Sequence, residues 1–191
     1  TGDLPSRGDH PQAKPVYDLD SVQLLWVIKR LNEGYDMAGN ELEGKPNFYP
    51  GAVVNPGADT DASFELQLIK MEKKIAAGAR FFQTQAVYNT EKFKEFIKQV
   101  SDISVPILAG LVILKSVGMA RFMNENVAGV NVPEELIAEL AKDKEKTKSG
   151  RTGIEIAVRT IRQIKGYCQG VHLMPLGWDS KVPAILDGAG L

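Results

Sequence analysis

The alternation of short apolar segments with longer amphipathic segments constrains the fold of this chain more than any other feature. The short segments are rich in β-branched and aromatic residues and predict strands at 48–54, 81–87, 106–114 and 171–176. Consecutive strands that are joined through a helix form right-handed crossovers between parallel neighbours. The sequence therefore predicts an α/β fold in which helices pack against a parallel sheet.

The amphipathic segments predict helices at 20–32, 64–77, 90–100, 116–126, 133–142, 152–168 and 181–186. Asp20 is a candidate N-cap of the first helix, because its side chain can accept hydrogen bonds from free N–H groups. Asn89 or Thr90 is the candidate N-cap of the third helix. The spacing of apolar residues predicts buried positions in the first two helices at Val22, Leu25, Trp26, Leu31, Leu66, Ile69 and Ile75.

The number of strands distinguishes two α/β architectures. The segment Thr1 to Pro5 has the character of a strand exit, so one strand stub precedes the four full strands. A closed (βα)8 barrel contains eight strands in about 250 residues. We therefore predict that residues 1–191 form a single domain, the C-terminal part of a TIM barrel whose N-terminal strands lie upstream. A free-standing small α/β sheet is the alternative.

Composition argues against several classes of protein. The 23 basic and 24 acidic residues nearly balance, whereas nucleic-acid-binding domains usually carry a basic excess. The lysine-rich stretch from Lys142 to Arg151 also contains acidic residues and is typical of a solvated connection. Cys168 alone cannot form an intrachain disulfide, and His10 with His172 makes a poor basis for a metal site. With no signal peptide and no apolar run of about 18 residues, we expect a cytoplasmic protein that binds neither membrane nor nucleic acid.

Polar side chains gather at the predicted carboxyl ends of the strands, which is where parallel sheets and barrels bind ligands. The segment Gln83-Thr84-Gln85 ends one strand, and the Gln85 amide could bond the polar edge of a ring or could simply cap a loop. Asp3 could bond a ligand or form a turn before Leu4-Pro5. The Asn55-Pro56-Gly57 loop and Trp178 follow two further strands. No GxGxxG or P-loop motif occurs, so these nucleotide-binding motifs are absent.

Several segments, in their order along the chain, resemble the methylenetetrahydrofolate reductase family. They are Thr1-Gly2-Asp3-Leu4-Pro5, Gly8-Asp9-His10-Pro11, Val16-Tyr17-Asp18-Leu19-Asp20-Ser21, Gly51-Ala52-Val53-Val54-Asn55-Pro56-Gly57-Ala58 and the stretch from Ala77 to Gln85. The closing segment from Gly170 to Trp178 resembles the subgroup of acetogenic bacteria and of fusions with a homocysteine methyltransferase. The resemblance extends through essentially the whole chain.

The resemblance implies an FAD-containing TIM barrel that reduces 5,10-methylenetetrahydrofolate to 5-methyltetrahydrofolate in one-carbon and methionine metabolism. It implies that Asp3 is catalytic near the flavin and contacts the pterin, that Gln85 binds folate, and that Phe122 packs on the substrate. NAD(P)H or another reductase subunit is the implied electron donor. The implied FAD-contacting positions are Thr1, Gly2, Asp3, Tyr17, Asp18, Ala52, Asn55 and Lys74.

The sequence departs from the family pattern at two positions. Met119 stands where many members have a folate-binding glutamine, and Trp178 lies near where others have an arginine for the folate tail. We therefore expect folate binding to differ here or to use a partner subunit. The glutamate that serves the family as general acid lies upstream of Thr1, so we expect this part alone to be inactive. Exposed strand edges also predict self-association.

The sequence is also compatible with two other functions. A half-barrel could be a non-catalytic module that docks onto a partner chain. It could also belong to another barrel enzyme that acts on pterins or one-carbon units without a flavin.

Overall fold

The computed structural model describes residues 5, 8–58, 60–142 and 150–191. Within these ranges the chain forms seven α-helices and four strands. In chain order they are α1 (Ser21–Glu33), β1 (Gly51–Val54), α2 (Asp61–Ala76), β2 (Phe81–Ala86), α3 (Thr90–Gln99), β3 (Ile107–Val112), α4 (Val117–Asn126), α5 (Glu134–Lys142), α6 (Arg151–Ile164), β4 (Gly170–Met174) and, after a 3-10 turn at Asp179–Lys181, α7 (Val182–Ala189). Residues 1–4 of the predicted strand stub (Thr1 to Pro5) and residues 143–149 of the predicted connection lie outside the described residues.

The strands form one sheet in the order β1-β2-β3-β4. β2 pairs with β3 in parallel, and β3 pairs with β4 in parallel. A doubly wound sheet reverses its strand order at a switch point, whereas consecutive barrel strands lie side by side. The sequential order is therefore that of a TIM-barrel segment, and the predicted fold class is confirmed.

The chain divides into two compact units. The first consists of Thr1–Ala52 and Lys70–Arg80, and the second of Val53–Ile69 and Phe81–Leu191. The assignment of the whole chain to one domain stays a prediction.

In the first unit, α1 begins where the sequence predicts. The Asp20 carboxylate accepts hydrogen bonds from the N–H groups of Val22 at 2.8 Å and Gln23 at 2.7 Å. The Gln23 side chain accepts in return from the Asp20 N–H at 2.8 Å, which completes a capping box. Leu25 is buried as predicted, but the prediction for Trp26 is wrong, because 47% of its surface is exposed.

In the second unit, β3 lies in the core. Its residues Ile107, Ala109 and Leu111 are buried, as the nearly unbroken apolar run predicts for a strand covered on both faces. Leu111 belongs to a buried apolar cluster that includes residues of α4, α5, α6 and α7. The helices therefore cover the sheet as a barrel requires.

α2 begins at Asp61, three residues before the predicted start at Phe64. Thr60 explains the difference, because its hydroxyl accepts from the Ser63 N–H at 3.2 Å while the Ser63 hydroxyl accepts from the Thr60 N–H at 3.1 Å. The prediction that Leu66 and Ile69 are buried is wrong, since they are 47% and 42% exposed.

β2 contains a bulge near its carboxyl end. Gln83 pairs with Leu108 and Ala86 pairs with Gly110, so three steps along β2 match two steps along β3. One residue of β2 is therefore extra in this ladder. Such a bulge redirects the side chains beside it, which here include Gln85.

Thr84 and Gly110 build the bulge. The Thr84 hydroxyl accepts a hydrogen bond from the Gly110 N–H at 2.9 Å and donates to the Gln85 carbonyl at 2.7 Å. A Cβ atom at Gly110 would lie 2.2 Å from the Thr84 carbonyl oxygen, so only glycine permits this approach of the two backbones. The sequence carried a signal for this feature, because an isolated glycine within an apolar strand indicates a bulge or a close backbone contact.

We predict that Gly110→Ala lowers the free energy of unfolding by about 1–3 kcal/mol, because the added methyl group overlaps the Thr84 carbonyl. Urea denaturation of the full-length protein measures the change. Gly118→Ala is the matched control, since the nearest atom to its added Cβ lies 3.9 Å away and alanine favours α4 by up to about 1 kcal/mol. Equal stability of the two variants would contradict the close approach at the bulge.

Candidate functional site

The candidate site in the second unit consists of the segments that follow the strands. Asn55-Pro56-Gly57 follows β1, Gln85 lies beside the end of β2, Lys115 follows β3 and Trp178 follows β4. Since the carboxyl ends of parallel strands share one edge of a sheet, these segments form the face that binds ligands in barrels. We call them the carboxyl-end site.

Gln85 presents a side-chain amide at this edge. The residue is half-buried, and the bulge fixes its backbone through the bond from the Thr84 hydroxyl to its carbonyl. Within the described ranges, no protein group bonds its side-chain amide, so nothing there supports a loop-capping role. An amide with both donor and acceptor atoms is therefore available to a ligand at this strand end.

The segment after β2 is held against β3. Tyr88 is buried, and its hydroxyl donates to the Val112 carbonyl at 2.8 Å. Burial raises the pKa of Tyr88 well above its usual value, so the phenol stays neutral and keeps this bond. Asn89 then caps α3 by accepting from the Lys92 N–H at 3.0 Å.

A cavity of about 70 Å³ lies beside this segment. It is lined by Pro56, Gly57, Ala86, Val87, Tyr88, Asn89, Lys92, Phe93, Gly129 and Asn131.

Asn55 has a structural role in the turn after β1. Its side-chain oxygen accepts from the Gly57 N–H at 3.0 Å, which closes an Asx turn. Gly129 packs against the same side chain, since a Cβ there would lie 2.0 Å from the Asn55 amide nitrogen. These contacts fix the loop, and a cofactor contact by Asn55 stays a prediction.

Lys115 joins the ends of β3 and β4. Its ammonium donates to the Leu176 carbonyl and lies 5.3 Å from the centre of the Trp178 ring. The Trp178 ring packs against Gly150, where a Cβ would lie 2.2 Å from a ring carbon. Leu176 has a φ of 50°, a left-handed conformation that no other described non-glycine residue adopts. The sequence analysis identified Trp178 after the last strand, but nothing in the sequence indicates that Lys115 reaches the turn after β4.

Phe122 and Met119 both lie on α4, which Ser116 caps by accepting from the Met119 N–H at 3.1 Å. The Phe122 ring is 60% exposed, whereas Met119 is half-buried. The exposed ring is available to a ligand, and its packing on a substrate stays a prediction.

The described cofactor candidates of the first unit are Tyr17, Asp18, Ala52 and Lys74; Thr1, Gly2 and Asp3 lie outside the described residues. Tyr17 is 71% exposed and Asp18 is exposed, while Ala52 in β1 and Lys74 in α2 are half-buried. Burial lowers the pKa of Lys74, and the charge of Lys70 lowers it further, against an opposing effect of Asp20.

Two other classes of site find no support in the described part of the chain. It contains no group of three or more His, Cys, Asp or Glu side chains that could hold a metal ion. Its helices are too short or too polar to cross a bilayer.

Cys168 has the character of a structural residue. Burial raises the pKa of its thiol, which fits a structural thiol better than a nucleophile.

The likeness to solved structures concerns the fold. An uncharacterized protein from Clostridium thermocellum, which binds two copies of 5-methyl-5,6,7,8-tetrahydrofolic acid, aligns with a TM-score of 0.50 and 19% identity. The alignment covers 73% of this chain and 51% of that protein.

Curated relatives extend along almost the whole chain. Methylenetetrahydrofolate reductase (NADH) 1 of Arabidopsis thaliana is 27% identical over 98% of this chain and 33% of its own length. Methylenetetrahydrofolate reductase 2 of Schizosaccharomyces pombe is 27% identical over 100% of this chain and 30% of its own length. A probable methylenetetrahydrofolate reductase (NADPH) of Caenorhabditis elegans is 23% identical over 98% of this chain and 28% of its own length. The chain thus spans about a third of the length of these relatives.

The family model for methylenetetrahydrofolate reductase matches residues 1–190, nearly the full length of the chain. This match agrees with the sequential parallel sheet and with the order of the sequence motifs. The chain belongs to the methylenetetrahydrofolate reductase family.

Proposed function

We propose that this chain forms part of an enzyme that reduces 5,10-methylenetetrahydrofolate to 5-methyltetrahydrofolate with FAD in one-carbon and methionine metabolism. The observation that carries the proposal is the Gln85 amide, which the bulge positions at the carboxyl end of β2 in a chain of this family. The names of the curated relatives and the folate bound by the Clostridium thermocellum protein support the same substrate class.

The role of Gln85 is to read the pterin. The pterin ring carries an amino group and ring N–H donors beside acceptor atoms, and a side-chain amide offers the complementary acceptor and donor. The bulge holds the backbone of Gln85 through the Thr84 hydroxyl, so the entropy lost when the amide engages the ring is that of the side chain alone. Asp3, which lies outside the described residues, is proposed to act where flavin and pterin meet, with Phe122 packing on the substrate.

The described cofactor candidates fit FAD by their chemistry. Tyr17 offers an exposed aromatic ring, and Lys74 is a half-buried ammonium whose pKa is lowered by burial and by the nearby charge of Lys70. A pyrophosphate close to Lys74 would relieve this destabilisation of the charged form. When bound, FAD supplies the two-electron chemistry, while NADH, NADPH or another reductase subunit is the proposed electron donor.

We predict that Gln85→Ala in the full-length enzyme slows reduction of 5,10-methylenetetrahydrofolate about 10- to 100-fold, as expected for the loss of one or two substrate hydrogen bonds. The FAD content should stay unchanged. Single-turnover oxidation of the reduced enzyme by the folate measures the rate, and absorbance at the flavin band measures the cofactor.

Gln83→Ala is the matched control for this variant, because Gln83 is an equally half-buried glutamine two residues earlier in β2. It should change the folate reaction less than about threefold. Loss of FAD from the Gln85 variant would show that Gln85 does not contact the substrate as proposed, and a colourless wild-type enzyme would contradict the use of FAD.

We predict that Lys74→Met weakens FAD retention about tenfold, because the variant lacks the charge beside the proposed pyrophosphate position. Equilibrium titration of the apoenzyme with FAD measures the affinity. Lys73→Met is the matched control, since Lys73 lies in the same turn of α2 but is exposed. Equal losses in the two variants would contradict a specific role of Lys74.

The pH dependence of FAD binding gives a second test of Lys74. The ammonium is charged below its pKa, and that pKa lies below the ordinary value of 10.5. The affinity of the wild-type apoenzyme for FAD should therefore fall as pH rises, starting below pH 10.5, and the Lys74→Met variant should lack this component. An identical pH profile in both proteins would exclude Lys74 from the cofactor site.

A further inference from the structure

We propose that His172 contacts the pterin ring of the substrate beside Gln85, an inference that rests on the proposed function above. His172 lies in β4 and is half-buried, and the function proposed so far gives it no role. The direction of its side chain, its short distance from Gln85 and the accessibility of its ring nitrogens support this contact.

The side chain of His172 points to the face of the sheet opposite the helices. Val171 and Leu173, the residues on either side of it, pack against the buried cluster that includes residues of α4, α5, α6 and α7. Side chains alternate between the two faces along a strand, so His172 points the other way. In a TIM barrel that face is the interior, whose carboxyl end binds ligands.

The bulge in β2 brings Gln85 toward His172. His172 is in register with Gly110 of β3, and paired residues of neighbouring strands point to the same face. On that face, a Cβ atom at Gly110 would overlap the Thr84 carbonyl and would lie 3.2 Å from the Gln85 carbonyl oxygen. The bulged backbone of β2 therefore lies over Gly110, in the place of the missing side chain.

This arrangement limits the distance between Gln85 and His172. Adjacent strands are about 4.8 Å apart, so the Cβ atom of His172 lies within about 8 Å of the Gln85 carbonyl oxygen. Glutamine and histidine side chains both extend well beyond their Cβ atoms. One flat ring over this face can therefore contact both side chains.

The ring nitrogens of His172 are available to a ligand. Within the described ranges, no protein group forms a hydrogen bond with its imidazole. No buried side-chain nitrogen or oxygen in these ranges lacks a partner, so the unbonded ring nitrogens are accessible. A neutral imidazole offers one donor and one acceptor, which suits the mixed donors and acceptors along the edge of a pterin.

The neighbouring levels of this face are apolar. Toward the amino end of β4, Leu108 leans over Gly170, since a Cβ there would lie 3.0 Å from the Leu108 side chain. Toward the carboxyl end, Met174 follows His172 on the same face. Apolar side chains can pack on a flat ring but cannot fix its orientation, whereas Gln85 and His172 can bond its polar edge.

The test measures the affinity of the full-length enzyme for 5-methyltetrahydrofolate and for its analogue without glutamate, 5-methyltetrahydropteroate. In calorimetric titrations, His172→Leu should weaken binding of both ligands about 5- to 20-fold, because the lost contact is to the ring that they share. His172→Asn should restore most of the affinity, because its side chain keeps a donor and an acceptor. The FAD content should stay unchanged in both variants.

Gln83→Leu is the matched control for His172→Leu. Gln83 is also half-buried and pairs with Leu108, one level away on the same face of the sheet. The control should change the affinity for either ligand less than about twofold. An equal loss in this variant overturns the proposal, because it shows that removing any polar group from this face impairs binding.

Other roles of His172 give different patterns. If its imidazole serves only the packing of the barrel, His172→Leu lowers Tm and leaves the affinity for both ligands within about twofold. A loss of FAD from His172→Leu indicates a contact with the flavin, and weaker binding of the folate alone indicates a contact with the tail. Failure of His172→Asn to restore affinity shows that hydrogen bonding is not the cause. Each of these results overturns the proposal.

Failure of the proposed function would be seen separately. If the wild-type enzyme binds 5-methyltetrahydrofolate but does not reduce 5,10-methylenetetrahydrofolate, the reductase activity is contradicted, and the titrations still test His172. If the wild type reduces the folate and His172→Leu binds both ligands normally, the inference is overturned and the proposed function stands. A wild type that binds neither ligand contradicts both.

Discussion

The close approach of β2 to Gly110 is the contact on which the carboxyl-end site depends. Beyond the bulge, the Val87 N–H donates to the Gly110 carbonyl at 2.9 Å and the Tyr88 hydroxyl donates to the Val112 carbonyl at 2.8 Å. Both bonds require the register that the bulge creates. Without the extra residue, the end of β2 would shift by one position and turn its side chains to the opposite face. The residues beyond the bulge, from Ala86 onward, would then face the other side of the sheet.

Glycine supports a close contact at two further places beside the sheet. At Gly153 in α6, a Cβ would lie 2.0 Å from the Leu114 carbonyl, so the helix begins directly against the segment that leaves β3. At Gly150, the residue before α6, the Trp178 ring occupies the space that a side chain would need. These contacts join the ends of β3 and β4 through α6. They explain why Lys115, which follows Leu114, lies within reach of the turn after β4.

The sequence predicts local structure well, because capping and periodicity act within a few residues. The sequence correctly predicts the N-cap at Asp20 and the parallel arrangement of the strands. It does not predict the Thr60 cap, and the predicted burial of Trp26 and Leu66 is wrong. An amphipathic pattern shows that a helix has an apolar face, and it does not show whether another element covers all of it. The isolated Gly110 signals a close backbone contact, but its partner Thr84 lies 26 positions away and no local pattern identifies it. The reach of Lys115 to Leu176 spans 61 positions and has no local signal.

Electrostatic attraction at the described site depends on individual charged side chains and not on the net charge of the chain. The chain has a formal net charge of −1, which gives no general attraction for an anionic substrate or cofactor. At physiological salt, charges act over about 8 Å, so attraction must come from cations close to the ligand. Several basic side chains, such as Arg121 and Arg159, are already paired with carboxylates. Lys115 instead contacts a carbonyl and a ring, and these hold its ammonium in place without cancelling its charge.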